Sequence, residues 1–299
     1  MKLVSVLLIL LVLGGTLFLT VFYKDYLKAK NHGKLEKDGS IPAFSIVGFF
    51  LSFLDTLGIG AFAPMTAVFK NFRLVKDGII PGTLNTAMCI PIIVEALIFV
   101  KKVEVEPLTL ISMLIAAVAG AVIGAGIVSK MDEKKIQVGM GVALFAVVAI
   151  ILAGKLGIMP VGGQAIGLKG VKLVIAVVGN FILGALMTLG IGLYAPCMAL
   201  VYALGMSPIS AFPIMMASCA YLMPAASIKF IREGAYNRRA TMIITISGIV
   251  GVIIAAYIVK SLPLNVVSYL VVFVIIYTAS KLLKEGLSKK PAHHETIGH

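Results

Sequence analysis

Two copies of one motif contain the residue types that can form an anion site inside a membrane. Residues 56–67 read TLGIGAFAPMTA, and residues 188–199, which begin 132 positions later, read TLGIGLYAPCMA. Glycine and proline interrupt helices, because glycine has no side chain to pack and proline has no backbone N–H. Paired interruptions in corresponding halves of a membrane protein are typical of a transport site.

A helix that begins inside each motif would aim backbone N–H groups at a ligand. If helices begin near Phe62 and Tyr194, Pro64 and Pro196 lie in their first turns, where proline is tolerated. The first amides of a helix have no partner within it, and the helix dipole adds partial positive charge there. The two helix starts therefore predict a site for a small oxyanion.

Polar residues in the next segment of each half repeat with the same offset. Thr86 corresponds to Ser218, and segments 81–91 and 213–224 both place small hydroxyl and thiol side chains between two prolines. Unwound backbone at such positions cannot face lipid, because each unsatisfied amide costs several kcal/mol. These segments are therefore expected to line a cavity enclosed by protein.

Acidic residues inside the apolar segments are few. Asp55 directly precedes the first motif, and its counterpart in the second half is Met187. Ionisable residues within a membrane are costly and usually functional. Asp55 is a candidate for coupling to a proton or cation, or alternatively for capping the helix break. Glu95 is a second candidate, unless it approaches the membrane interface.

The elements that must position these residues are membrane-spanning helices. Hydrophobic residues make up 60% of the chain, charged residues 13%, and the mean hydropathy is +1.07. Two apolar segments, 41–69 and 171–204, exceed one span of about 20 residues and carry the motifs, so each is a broken helix or a hairpin of half-helices. The apolar segments are roughly 3–22, 41–69, 78–100, 107–128, 136–154, 171–204, 207–228, 240–259 and 262–280.

The predicted fold is an all-α polytopic membrane protein with two inverted repeats. Residues 1–40 form an extra N-terminal transmembrane helix and a basic loop, and residues 155–170 link the repeats. The repeats are 41–154 and 171–282, and 283–299 form a cytoplasmic tail. The hairpin alternative favours inversion, because it gives the halves opposite orientations. A homo-oligomer is left open.

The net charge of +13 has a membrane explanation rather than a nucleic-acid one. Lysine and arginine lie between or beside the apolar segments, with no basic stripe on a soluble domain. The positive-inside rule then places the N-terminus outside and the C-terminus inside the cytoplasmic membrane, for either form of the long segments.

The sequence lacks the residue patterns of disulfides, metal sites and ATP hydrolysis. Cys89, Cys197 and Cys219 lie in apolar segments without metal-ligand spacing, so we expect neither a disulfide nor a metal site. They are interpreted as small packing residues, with a soft lining for a sulfur-containing substrate as the alternative. No phosphate-binding loop occurs, so no ATPase or cofactor is expected. The glycine pairs 120/124 and 248/251 are interpreted as close helix crossings.

The C-terminal half resembles that of the TauE/SafE permeases, also called sulfonate uptake permeases. The similar residues are 217–237, the glycine-bearing helix with Gly248, residues 260–263 and the final apolar helix. The resemblance covers about residues 40–285 and leaves the first helix as an addition. Family members usually have Gly-x-Gly-Gly-Gly at the two openings, and this chain departs from that pattern.

The resemblance implies a secondary transporter for sulfite or an organosulfonate, together with a small anionic substrate and a lipid bilayer as partners. It implies that glycines and prolines frame the cavity, that Asn85, Thr86 and Ser218 donate hydrogen bonds, and that Tyr194 or Tyr221 closes it. The full predicted substrate site comprises Thr56, Gly58, Gly60, Pro64, Asn85, Thr86, Thr188, Gly190, Gly192, Tyr194, Pro196, Ser218 and Tyr221.

Two other classes of function remain alternatives. An anion channel would use the same helix starts but would need a continuous polar path, and the paired breaks favour a gated carrier. An intramembrane enzyme would need a catalytic group of residues, yet no histidine lies within an apolar segment.

Overall fold

The computed structural model describes residues 2–57, 59–99, 105–158, 162–257 and 264–288. Its secondary structure there is helical, apart from one isolated β-bridge between Ala165 and Met206. Seven of the described helices are long and apolar enough to cross a membrane, which confirms an all-α polytopic membrane protein. The helices are α1 Lys2–Asn31, α2 Ile41–Thr56, α3 Phe62–Asn71, α4 Ile80–Phe99, α5 Pro107–Val128, α6 Glu133–Lys155, α7 Gly170–Met187, α8 Tyr194–Ala203, α9 Pro208–Glu233, α10 Arg238–Tyr257 and α11 Leu264–Leu287.

The first long apolar segment folds as a hairpin of two antiparallel helices, α2 and α3. At the tip, the Ala61 N–H donates to Asp55 Oδ1 at 2.7 Å. Towards the base, the Phe44 and Phe69 rings pack edge to face with centroids 6.4 Å apart. Because contacts pair residues symmetrically about the turn, α3 returns along α2 instead of continuing it.

The second long segment forms the equivalent hairpin from α7 and α8. Leu200 of α8 packs against Gly179 of α7. Nearer the base, Lys172 Nζ donates to the Leu204 carbonyl oxygen at 3.1 Å. Of the two forms expected for the long segments, the structure therefore contains the hairpin in both halves.

Helix boundaries repeat at the 132-residue offset of the motifs. Helix α8, Tyr194–Ala203, coincides with α3, Phe62–Asn71, when 132 is added to each number of α3. Helices α6 and α11 correspond in the same way, with identical ends and with starts that differ by one residue. The duplication therefore extends over five helices in each half.

Equivalent helices of the two halves run antiparallel. Gly82, early in α4, packs against Phe230, late in α9, whereas Asn85 accepts a hydrogen bond through its carbonyl oxygen from Ser227 Oγ at 2.9 Å. Residue numbers thus fall along α9 as they rise along α4. In α6 and α11, Gly141 likewise contacts Leu283, and Val138 contacts Gly286. This arrangement supports the prediction of inverted repeats.

Glycines allow helix backbones to touch at two equivalent crossings. A Cβ atom on Gly120 of α5 would lie 1.9 Å from the Phe181 carbonyl oxygen of α7. A Cβ on Gly251 of α10 would lie 2.2 Å from the Phe49 carbonyl oxygen of α2. The interpretation of these glycines as close helix crossings is therefore confirmed.

We expect Gly120→Ala to destabilise the protein by about 1–3 kcal/mol, because the added methyl group overpacks the α5–α7 contact. Gly126→Ala, on the same helix, is the matched control, since its Cβ would meet only the flexible Lys229 side chain at 3.3 Å. Thermal unfolding in detergent measures both variants. Equal midpoints for the two would contradict the close-crossing role of Gly120.

Helix α1 is tied to the second half by an ion-pair cluster at one end of the bundle. Arg238, at the start of α10, bonds Asp25 at 2.7 Å and Glu36 at 2.8 Å. The Tyr236 hydroxyl donates to the same Asp25 carboxylate at 2.7 Å. Because these groups satisfy one another, the loop after α1 is held against the α9–α10 turn.

The base of the first hairpin is held by a second charged cluster. Lys70, at the end of α3, pairs with Asp77 and with Glu285 of α11, and Gln137 of α6 donates to Asp77 at 2.8 Å. The counterpart of Lys70 in the second hairpin is Tyr202. The hairpins therefore share their fold but differ in how their bases are attached.

Candidate functional site

A cavity of about 300 Å³ lies between the tips of the two hairpins. Both motif copies form its wall, through residues 59–64 of the first and 192–196 of the second. The remaining wall includes Asp55, Ile92, Val147, Ile150, Ile151, Met187, Met198, Phe212, Met215, Cys219 and Ile275. The structure thus brings two motifs 132 residues apart to one site.

The cavity lies at mid-height of the bundle. Ile92 is near the middle of α4, Ile80–Phe99, and Cys219 is near the middle of α9, Pro208–Glu233. A ligand in the cavity would therefore be enclosed by helices on several sides.

Two helices begin at the cavity wall. Helix α3 starts at Phe62 and α8 at Tyr194, so Pro64 and Pro196 are each the third helical residue. The positions predicted for the two helix starts are therefore correct. The N-cap residues Ala61 and Leu193 make no capping hydrogen bond with their own side chains, and Asp55 Oδ1 accepts from the Ala61 N–H at the start of α3. The amides that follow each N-cap are therefore the local source of positive potential.

The motif glycines serve the turn geometry at the hairpin tips. Gly60 has φ +84° and Gly190 has φ +99°, in the left-handed region that favours glycine. Gly192 has no such φ, and an added Cβ there would meet nothing within 4 Å. Gly58 lies outside the described residues. Gly60 and Gly192 line the cavity, whereas Gly190 contacts Leu84.

The two threonines that begin the motifs bond within their own helical segments. Thr56 Oγ1 donates to the Ser52 carbonyl oxygen at 2.9 Å, and Thr188 Oγ1 donates to that of Ala185 at 2.6 Å. Neither is among the described residues that line the cavity. Their hydroxyls satisfy the helix ends at the hairpin tips.

Asn85 and Thr86 form hydrogen bonds within α4 or to α10 instead of lining the cavity. Asn85 Nδ2 donates to the Pro81 carbonyl oxygen at 2.9 Å. Thr86 Oγ1 lies 2.7 Å from Thr241 Oγ1 of α10. Both polar side chains therefore pair within α4 or with α10.

Ser218 and Tyr221 of α9 also face other helices. Asn180 Nδ2 of α7 donates to Ser218 Oγ at 2.9 Å. The Tyr221 hydroxyl donates to the Leu7 carbonyl oxygen of α1. Of the two tyrosines expected to close the cavity, the structure places Tyr194 in its wall and Tyr221 against α1.

Of the two roles that its sequence position left open, Asp55 takes the capping one in the structure, and coupling stays a prediction. Its side chain is 4% exposed, and Oδ1 accepts from Ala61 N, which supports the start of α3. Its Oδ2 atom is buried without a hydrogen-bond partner among the described residues. One oxygen therefore stabilises the hairpin tip, while the other remains available at the cavity wall.

Glu95 belongs to the same cluster, although its sequence position left open an approach to the membrane interface. Its side chain is only 4% exposed. Its carboxyl group interacts electrostatically with Asp55 and lies beside the Tyr194 hydroxyl. The signal in the sequence is an acidic residue within an otherwise apolar helix.

The rest of the wall is apolar and rich in sulfur. Met187, Met198, Met215 and Cys219 are among its residues, and the described lining includes no lysine, arginine or histidine. Thioether and thiol groups are polarisable and adapt to irregular ligands. The positive potential available to an anion therefore comes from the two helix starts.

Comparison with known proteins places the chain in a family. A family model described as "Sulfite exporter TauE/SafE" matches residues 1–151, just over half of the 299 residues. The matched range includes α1, which the sequence resemblance had left as an addition. No curated protein and no solved structure matches the chain. The chain belongs to the sulfite exporter TauE/SafE family.

Proposed function

We propose that the protein is a secondary transporter that binds a small anion, sulfite or an organosulfonate, between the starts of α3 and α8. The observation that carries this proposal is the convergence of two equivalent helix N-termini on one cavity at mid-height of the bundle. Amides at a helix start attract anions without requiring a basic side chain. The family supports a sulfite or sulfonate substrate.

The proposed site comprises Gly60, Pro64, Gly192, Tyr194 and Pro196. The two glycines leave space beside backbone, and an added Cβ on either would meet nothing within 4 Å. An anion can therefore approach the amides of both hairpin tips. The apolar remainder of the wall accommodates the carbon chain of an organosulfonate.

A gated carrier fits this arrangement better than a channel. The hairpins enter from opposite ends of the bundle, because the equivalent helices run antiparallel, and their tips meet at the cavity. Each hairpin can then close one side of the site, as alternating access requires. A channel would need a continuous polar path, whereas the described wall is largely apolar.

The charged residues support one orientation. The end of the bundle that holds Lys70 and Arg238 carries most of the described basic residues, whereas Lys155, Lys169 and Lys172 lie at the other end. The positive-inside rule assigns the first end to the cytoplasm. This orientation puts the N-terminus outside and the C-terminus inside the cell membrane.

Flux measurements in proteoliposomes test the proposal. We expect saturable uptake of sulfite or ethanesulfonate, and acceleration of labelled uptake when unlabelled anion is trapped inside. Counterflow of this kind requires a carrier that moves unlabelled anion out before it takes up labelled anion. Uptake that never saturates and shows no counterflow would indicate a channel, and a chemically altered product would indicate an enzyme.

A further inference from the structure

Three buried polar atoms converge at one side of the cavity without a hydrogen-bond partner among the described residues. They are Asp55 Oδ2, Glu95 Oε2 and the Tyr194 hydroxyl oxygen, and the last two lie within reach of each other without forming a hydrogen bond of good geometry. Asp55 and Tyr194 line the cavity, and Glu95 stands beside both. Buried polar groups normally have partners, so three together indicate a ligand of the site.

We infer that Asp55, Glu95 and Tyr194 form a proton-loading site, and that the anion binds beside it only after the carboxyl pair has taken up a proton. This inference rests on the proposed anion transport and adds its coupling. It assigns Glu95 and Tyr194 to the site together with Asp55.

The surroundings of the pair favour a proton. The titratable groups that face the pair are Tyr194 on α8 and Cys219 on α9, and Cys197 of α8 lies beyond Cys219. None of these compensates negative charge, and no lysine, arginine or histidine of the described chain acts on either carboxyl group. Two adjacent carboxylates at low dielectric cannot both hold their charge without a cation.

The anion adds a third negative charge to the same space. Because Asp55 lines the cavity, an ionised Asp55 would repel a sulfonate held at the start of α3. A proton on the pair removes that repulsion and lets a carboxyl O–H or the tyrosine O–H donate to the bound anion. Anion and proton therefore bind together.

The duplication does not repeat the loading site. At the 132-residue offset, Asp55 corresponds to Met187, Glu95 to Ser227 and Tyr194 to Phe62. The acidic pair thus belongs to the first half, and the hydroxyl group that faces it comes from the second hairpin. Relative movement of the hairpins would separate them and allow the proton to leave.

The test is calorimetric titration of ethanesulfonate into the full chain in lipid nanodiscs. A sulfonate stays ionised between about pH 5 and about pH 9, so a pH effect on affinity belongs to the protein. We expect affinity to fall about tenfold per pH unit at the alkaline end, with about one proton taken up per anion bound. Titrations in buffers of different ionisation heat measure that proton.

Two variants of the carboxyl pair test where the proton binds. Glu95→Gln and Asp55→Asn should each abolish most of the proton uptake and flatten the pH dependence of affinity. Asp132→Asn is the matched control, because Asp132 is an exposed N-cap whose hydrogen bonds to Lys135 keep its pKa below the ordinary value. It should retain the wild-type pH dependence. If a variant fails to fold, the number of protons that the wild type takes up per anion still tests the inference.

The possible results distinguish the proton-loading inference from the proposed anion transport. Ethanesulfonate binding that is independent of pH and takes up no proton would refute proton loading and leave anion transport standing. Affinity that depends on Na⁺ at constant pH, without proton uptake, would replace the proton by a metal cation and overturn the inference. The absence of any anion binding at every pH, for sulfite as well, would refute the proposed function and the inference with it.

Discussion

Replacing Gly60 with valine is expected to abolish anion transport, with a loss of at least about 100-fold, while the protein remains inserted in the membrane. Gly60 has φ +84°, and a left-handed conformation costs a side chain with Cβ roughly 1–2 kcal/mol. The valine side chain also occupies the space beside the amides of α3. Initial uptake of labelled sulfite into proteoliposomes measures the loss.

Gly192→Val separates occupancy of the site from backbone strain. Gly192 lines the cavity, has no left-handed φ, and offers open space to a Cβ atom. We therefore expect the same loss of transport with nearly unchanged thermal stability. Gly33→Val is the matched control, because Gly33 has φ +65° in open space but lies in the loop after α1. Gly33→Val should have the same backbone strain and should transport the anion at the wild-type rate. Wild-type rates in both cavity variants would contradict an anion site beside these two glycines.

Asp55→Asn is expected to abolish concentrative uptake driven by a pH gradient, while anion counterflow continues. Asparagine keeps the shape and an oxygen that can accept from Ala61 N, but it removes the charge change on which coupling depends. One pH unit corresponds to 1.36 kcal/mol per proton, so the wild type should accumulate anion up to about tenfold per unit. The variant should only equilibrate.

Measuring both fluxes in the same proteoliposomes distinguishes coupling from a capping role. If Asp55 only supports the start of α3, Asp55→Asn lowers thermal stability and leaves the pH dependence of uptake as in the wild type. Gradient-driven accumulation that is unchanged in Asp55→Asn would rule out the coupling role.

The apolar segments and the helix starts could be predicted from the sequence, because local chemistry determines them. An apolar run of the length of α5 has one low-energy arrangement in lipid, a helix that satisfies its own backbone. Proline without an N–H, next to glycines, favours helix starts near Phe62 and Tyr194, and α3 and α8 begin there. The repeated motif gave the 132-residue offset that pairs equivalent positions in the two halves.

The hairpin form of the long segments was decided by tertiary structure. A glycine-rich break allows the chain either to continue or to turn back, since glycine accepts both backbone conformations. Contacts between distant residues, such as the Phe44 and Phe69 rings, select the return. No local pattern in residues 41–69 contains that information.

The tertiary structure also decided which polar side chains face the cavity. Thr86 and Ser218 have the composition of binding residues, but in a low-dielectric interior each hydroxyl pairs with the nearest partner, and neighbouring helices supply Thr241 and Asn180. Glu95 reaches the site because α4 packs beside both hairpin tips. The membrane class, the repeat and the two helix starts follow from residue types and spacing alone. The composition of the site depends on how the described helices pack, since burial and hydrogen-bond partners are properties of the whole fold.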